Sequence, residues 1–222
     1  FAKLLDSAGI DVLLVGDSAS NVMAGHDTTL PITLDQMIYH AASVVRGAER
    51  ALIVVDLPFG TYQSNPQEAL RSAVRIMKET GAHAIKLEGG KEEAEGIQRI
   101  ISAGIPVMGH LGLTPQSVHK FGGYGLRAKE EAEAEKLLSD ARALDAVGCF
   151  AITLEKVPAK LAEEVTKSVS CATIGIGAGS GTDGQILVYA DALGMTQGFK
   201  PKFLRHFADV SKCMTDGVQE YI

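Results

Sequence analysis

Three cysteines, an odd number with no Cys-x-x-Cys pair, leave this 222-residue chain without the makings of a disulfide framework. Cys149 and Cys171 stand at the starts of apolar runs, where inert small hydrophobes are expected rather than nucleophiles. No apolar run approaches the ~20 residues that span a bilayer, and the first residues carry no basic-then-apolar signal pattern. A cytoplasmic protein with no membrane partner is expected. Blocks of Lys or Arg interleaved with aromatics are also missing, and the formal net charge is −6, which argues against nucleic-acid binding.

What is present is a regular alternation of strand and helix patterns, in a chain long enough for one α/β core. Apolar strand candidates fall at 11–17, 51–57, 83–88, 105–111, 149–155, 172–177 and 185–189. Thr33-Leu34-Asp35-Gln36 reads as a capping box opening a helix, and Asn65-Pro66-Gln67-Glu68 as a second helix start. The charged run 128–142 predicts a helix with a solvated face, and Pro158 the opening of another. Gly9, Gly47, Gly81, Gly104 and Gly148 each fall between a helical pattern and the next strand, as helix C-terminal glycines do. This grammar favours a parallel sheet.

The expected architecture is a (β/α)8 TIM barrel forming a single domain over 1–222, with a helical tail at 201–222. Seven strands fall one short of closure, so the first barrel strand is expected to lie before Phe1. An open seven-stranded sheet is the alternative, with two long apolar edges.

Three carboxylates repeat one pattern: Asp17, Asp56 and Glu88 each end a short apolar run. In a parallel barrel the strand C-termini converge on the active site, so these side chains should point at one place. Clustered carboxylates repel unless a cation separates them or one is protonated, which points to a hard divalent ion such as Mg²⁺. The same rim adds Lys86, His110 and Glu155. Singly, each has an ordinary explanation: Asp17 and Asp56 as turn caps, Lys86 with Glu88 as an ion pair, His110 as a core histidine, Glu155 as a partner of Lys156. All of these would have to hold at equivalent positions of successive units. Gly175-Ile176-Gly177-Ala178-Gly179 lacks phosphate-loop spacing, so close backbone approach or tight packing is the better reading. Gly122-Gly123-Tyr124-Gly125 reads as a loop over the site or an exposed turn.

The stretches Val15-Gly16-Asp17-Ser18, Asp56-Leu57-Pro58-Phe59, Lys86-Leu87-Glu88-Gly89-Gly90, His110-Leu111-Gly112-Leu113-Thr114-Pro115-Gln116-Ser117 and Phe121-Gly122-Gly123-Tyr124 resemble, in order, the ketopantoate hydroxymethyltransferase family. The likeness extends from Phe1 to about residue 203. It implies a barrel of the phosphoenolpyruvate/pyruvate superfamily, a homodecamer, and the first step of pantothenate biosynthesis. By this resemblance Asp17, Asp56 and Glu88 serve Mg²⁺; Asp17, Ser18, Asp56 and Lys86 hold the keto acid; and Glu155 is the proton acceptor. The implied transferase reaction moves a hydroxymethyl group from 5,10-methylenetetrahydrofolate to 3-methyl-2-oxobutanoate through an enolate. Lys86 and His110 would assist as charge neutraliser and hydrogen-bond donor. Gly125-Leu126-Arg127-Ala128-Lys129 departs from the family's basic glycine-containing loop. Related Mg²⁺-dependent lyases and phosphonomutases carry a Lys-Lys-Cys-Gly-His stretch that this chain lacks. A non-catalytic barrel is the rival from another class.

Overall fold

The computed structural model describes residues 1–196, 198 and 201–222. Seven parallel strands run β1 Val12–Val15, β2 Leu52–Asp56, β3 Ala84–Lys86, β4 Val107–Gly112, β5 Ala151–Glu155, β6 Ala172–Ile176 and β7 Gly184–Gln185. They pair in that order, each with the next. The helices are α1 Ala2–Ser7, α2 Ala19–Val22, α3 Leu34–Val45, α4 Pro66–Thr80, α5 Ala94–Ser102, α6 Val118–Phe121, α7 Glu131–Ala146, α8 Ala159–Ser168, α9 Tyr189–Ala192 and α10 Val210–Tyr221.

The local signals work as the sequence predicts. Thr33 and Gln36 form a reciprocal capping box at the start of α3, and Asn65 accepts from the Glu68 N–H at the start of α4, with Pro66 following. Gly81 ends α4 in the left-handed conformation. Among the described residues β1 and β7 do not pair: the seven strands expected within 1–222 form one curled parallel sheet, and the eighth strand, expected before Phe1, is not part of these residues. The last strand is also shorter than 185–189: Ile186, Leu187 and Val188 leave the ladder.

Two apolar clusters flank the sheet. The larger packs Ile53, Val55, Ile85, Val107 and Ile152 against Met37 of α3, Ile76 of α4, Ile97 and Ile100 of α5 and Leu144 of α7. Fully burying each such side chain is worth roughly 1.5–3 kcal/mol. The smaller joins Val54, Ala84, Met108 and Ala151. Two residues onward from these, on the same face of each strand, lie Asp56, Lys86, His110 and Thr153. The pleat that buries the small cluster therefore delivers the polar side chains.

Close approach of α7 fixes one position on β4. A Cβ on Gly109 would lie 2.6 Å from Leu144 Cδ1, and the backbone there is not in the left-handed region, so the constraint is purely steric. Gly109→Ala should cost about 1–3 kcal/mol by overpacking. Combining it with Leu144→Val should recover part of that loss, so that urea melts give a double-mutant cycle in which the two changes are not additive.

Candidate functional site

Five consecutive strand ends supply one polar cluster. Asp56, at the end of β2, accepts the Asp17 N–H through Oδ2 at 3.0 Å and faces the Lys86 ammonium at 2.6 Å through Oδ1. Lys86 Nζ is 3.3 Å from His110 Nδ1 on β4. His110 in turn lies 3.5 Å from Glu88 Oε1 and 3.3 Å from Glu155 Oε2 at the end of β5. Asp17, Asp56, Lys86, Glu88 and His110 are buried, while the Glu155 side chain keeps 17% of its surface open.

Three of the ordinary explanations do not match the partners these side chains take. Lys86 pairs with Asp56 and not with its sequence neighbour Glu88. Glu155 reaches His110, while Lys156 turns to the Tyr124 carbonyl. Helix α2 starts without a side-chain cap, and the Asp17 carboxylate is used elsewhere. Ser18 sits half-buried beside Asp56: a Cβ on Gly16 would lie 3.0 Å from Ser18 Oγ and 3.5 Å from Asp56 Oδ2.

Electrostatics follow from this crowding. Burial, then the charges of Asp56 and Glu88, push the Asp17 carboxyl up to about 8. Burial and Lys86 oppose a charge on His110, but the Glu155 and Glu88 carboxylates outweigh them and bring it up to about 9. Burial likewise opposes the Lys86 charge, and the acidic neighbours, Asp56 first, more than offset it. Four carboxyl groups thus face one ammonium and one imidazolium, and with the Asp17 proton retained one negative charge is in excess. Asp56 Oδ1 has no aligned hydrogen-bond donor despite the nearby ammonium, and His110 Nε2 lacks an aligned partner too.

Among the described residues no three acidic, cysteine or histidine side chains already surround one point as a finished metal site. The donor chemistry nevertheless fits a hard divalent cation: clustered carboxylate oxygens, one without an aligned partner, in a group that stays net negative. The cysteines take no part. Cys149 and Cys171 precede β5 and β6 at the opposite ends of the strands, and burial pushes both thiols up to about 12.

Two residues that sequence reasoning left without a role complete the cluster. Gln116, in the turn after β4, donates through Nε2 to Asp17 Oδ2 at 2.8 Å and through its backbone N–H to Glu88 Oε2 at 3.0 Å. Tyr62 accepts the Glu88 N–H at 3.2 Å, and its hydroxyl lies 2.8 Å from Gln116 Oε1. Gln116 belongs to the His110–Ser117 motif, which was the one signal available.

The segment 121–128 packs against this rim. Arg127 N–H donates to the Lys156 carbonyl at 2.8 Å, the Arg127 guanidinium lies 4.0 Å from the Phe121 ring centre, and Tyr124 hydroxyl reaches the Asp27 carbonyl at 3.5 Å. Lys156, next to Glu155, holds φ 45° although it is not glycine. The glycine run 175–179 serves packing: a Cβ on Gly177 would lie 2.9 Å from Phe203 Cδ1, and one on Gly179 2.4 Å from Ala159 Cβ.

Solved structures define the class of fold. Phosphonopyruvate hydrolase in complex with oxalate and Mg²⁺ matches with a TM-score of 0.62 at 12% identity, covering 99% of this chain and 76% of that one. A 2,3-dimethylmalate lyase of the phosphoenolpyruvate mutase/isocitrate lyase superfamily matches with a TM-score of 0.60 at 15% identity, covering 99% and 75%. These likenesses establish an α/β fold shared with that superfamily. Residues 1–222 match the ketopantoate hydroxymethyltransferase family, and the chain belongs to it. It is 70% identical over 220 residues to a 3-methyl-2-oxobutanoate hydroxymethyltransferase of Christiangramia forsetii, covering 99% of this chain and 81% of the relative. The like-named Flavobacterium johnsoniae protein is 66% identical over the same shares.

The shifted groups set a pH dependence. Between about pH 4 and 8 the folded protein keeps a proton on Asp17 that the unfolded chain has released. His110 keeps one between about 6.5 and 9 on the same comparison. In both cases the native state binds more protons, so stability falls as pH rises. In buffer free of divalent ions the thermal midpoint should drop from pH 6 to 9, and Asp17→Asn should flatten the portion below pH 8. Differential scanning fluorimetry across that range measures both.

Proposed function

We propose that this chain transfers a hydroxymethyl group from 5,10-methylenetetrahydrofolate to 3-methyl-2-oxobutanoate, giving 2-dehydropantoate in the first step of pantothenate biosynthesis. Family membership supports this reading, and relatives 62–70% identical over nearly the whole chain carry the matching enzyme name. The observation that carries it is the convergence of Asp17, Asp56, Lys86, Glu88, His110 and Glu155 from five successive strand ends.

Asp17, Asp56 and Glu88 would hold Mg²⁺, which when bound supplies Lewis-acid stabilisation of negative charge on a keto oxygen. The chain's own residues account for the rest. Lys86, kept cationic by its acidic neighbours, offers a fixed positive charge to the keto acid's carboxylate or to the oxygen where charge grows. Ser18 and the Asp17 and Asp56 edges, which crowd together at Gly16, would orient the acid. Glu155, the most open carboxylate of the cluster, would accept the C3 proton, and His110 at 3.3 Å would steady its charge. The resulting enolate carbon forms a bond to the methylene carbon of the folate, the methylene's two C–N bonds break, and water supplies the hydroxyl; the proton taken from C3 and the remaining proton of water go to the two folate nitrogens. Segment 121–128 would limit access of bulk water to this rim.

Assembly belongs to the same proposal. Met214, Val218 and Tyr221 are exposed along α10 at helical spacing, and Phe1 and Leu4 are exposed too. A homodecamer would cover such apolar surface. No helix among the described residues is long and apolar enough to cross a membrane, and a cytoplasmic setting is proposed.

Glu155→Gln should lower C3 deuterium exchange of 3-methyl-2-oxobutanoate, followed by proton NMR with Mg²⁺ present, by about 10²–10⁴-fold. Isothermal titration should show Mg²⁺ binding retained. Wild-type-like exchange in the variant removes Glu155 from the chemistry. Light scattering coupled to size-exclusion chromatography should give a mass near ten chains; a monomer would refute the assembly.

A further inference from the structure

We propose that Gln116 is a positioning residue that sets which oxygens of Asp17 and Glu88 face a divalent cation, an inference that rests on the metal reading above. Gln116 lies in the 3₁₀ turn Pro115–Ser117, is 7% exposed, and is not one of the groups assigned to substrate or metal. One of its amide hydrogens goes to Asp17 Oδ2 at 2.8 Å and the other to the Leu57 carbonyl at 3.0 Å. Its Oε1 accepts from Tyr62 hydroxyl at 2.8 Å and from Gln63 Nε2 at 3.0 Å. Its backbone N–H holds Glu88 Oε2 at 3.0 Å.

This pattern admits only one orientation of the amide. Turned over, its carbonyl would face the Leu57 carbonyl, an acceptor with nothing to donate, and its NH₂ would face the Gln63 amide donor. A glutamate would set a second anion against Asp17. One side chain thus ties together the loops that follow β1, β2 and β3, from its own place after β4. The two oxygens it engages are Asp17 Oδ2 and Glu88 Oε2. Asp17 Oδ1 accepts no hydrogen bond among the described residues, and Glu88 Oε1 meets only His110, at 3.5 Å. The engaged oxygens point into protein, and the others are the ones left for a cation. Partners of this kind fix the aim of metal ligands and typically change metal affinity about 10–100-fold when removed.

The test uses Mn²⁺ alone, whose oxygen-donor preferences parallel those of Mg²⁺, with the free ion read by electron paramagnetic resonance and no substrate present. Gln116→Met keeps the side-chain length and the backbone N–H but cannot donate; it should bind Mn²⁺ about 10–100-fold more weakly while remaining folded by circular dichroism. A folded Gln116→Met protein with wild-type Mn²⁺ affinity overturns the proposal and leaves Gln116 a packing residue, visible only as a lower thermal midpoint. Should Gln116→Met not fold, Tyr62→Phe decides: it removes the hydroxyl that anchors Oε1, and about tenfold weaker Mn²⁺ binding is expected. Unchanged affinity there overturns the proposal. Wild-type protein that binds no Mn²⁺ overturns the metal reading itself, and the positioning role with it.

Discussion

An excess of buried negative charge governs this structure. Asp17, Asp56, Glu88 and Glu155 crowd around one lysine and one histidine with little water to screen them. Left to itself such a cluster is unfavourable, and the folded chain shows how it copes. It raises the proton affinity of Asp17 and keeps Lys86 and His110 charged. It also spends backbone and amide donors on individual carboxylate oxygens. A cation among these oxygens would complete what these devices leave undone.

The sheet makes such crowding tolerable. Its larger apolar cluster, between strands and helices, provides most of the buried apolar surface, while the face opposite carries the short row Val54, Ala84, Met108 and Ala151 and then charges. The parallel arrangement places every strand's C-terminal end on one side, so polar residues cost the core nothing at the other ends. There the chain keeps Cys149 and Cys171 with their thiols protonated and inert.

Much of this was legible in the residues themselves. The caps at Thr33 and Asn65 and the first six strands obey local chemistry, so their positions follow from sequence. The convergence of acidic strand ends was legible for the same reason: repetition of one grammar forces one location. What was not legible depends on contacts between distant residues. Gln116 reaches Asp17 across 99 positions, and neither residue type announces the bond. The partner of Lys86 turned out to be Asp56 on the neighbouring strand, set by register, where proximity in sequence pointed to Glu88. The seventh strand ended early, because apolar residues at 186–188 read alike in a strand or an irregular segment.

The left-handed Lys156 has a mechanical meaning. An L-residue in that conformation stores about 1–2 kcal/mol, and here the strain is held by the Arg127 N–H on the Lys156 carbonyl and by the Lys156 N–H on the Ile176 carbonyl. The peptide that carries this tension directly follows Glu155. The end of β5 is thereby pinned from two sides, by the segment around Arg127 and by the neighbouring strand β6, and the direction in which the Glu155 side chain leaves the sheet is set by both.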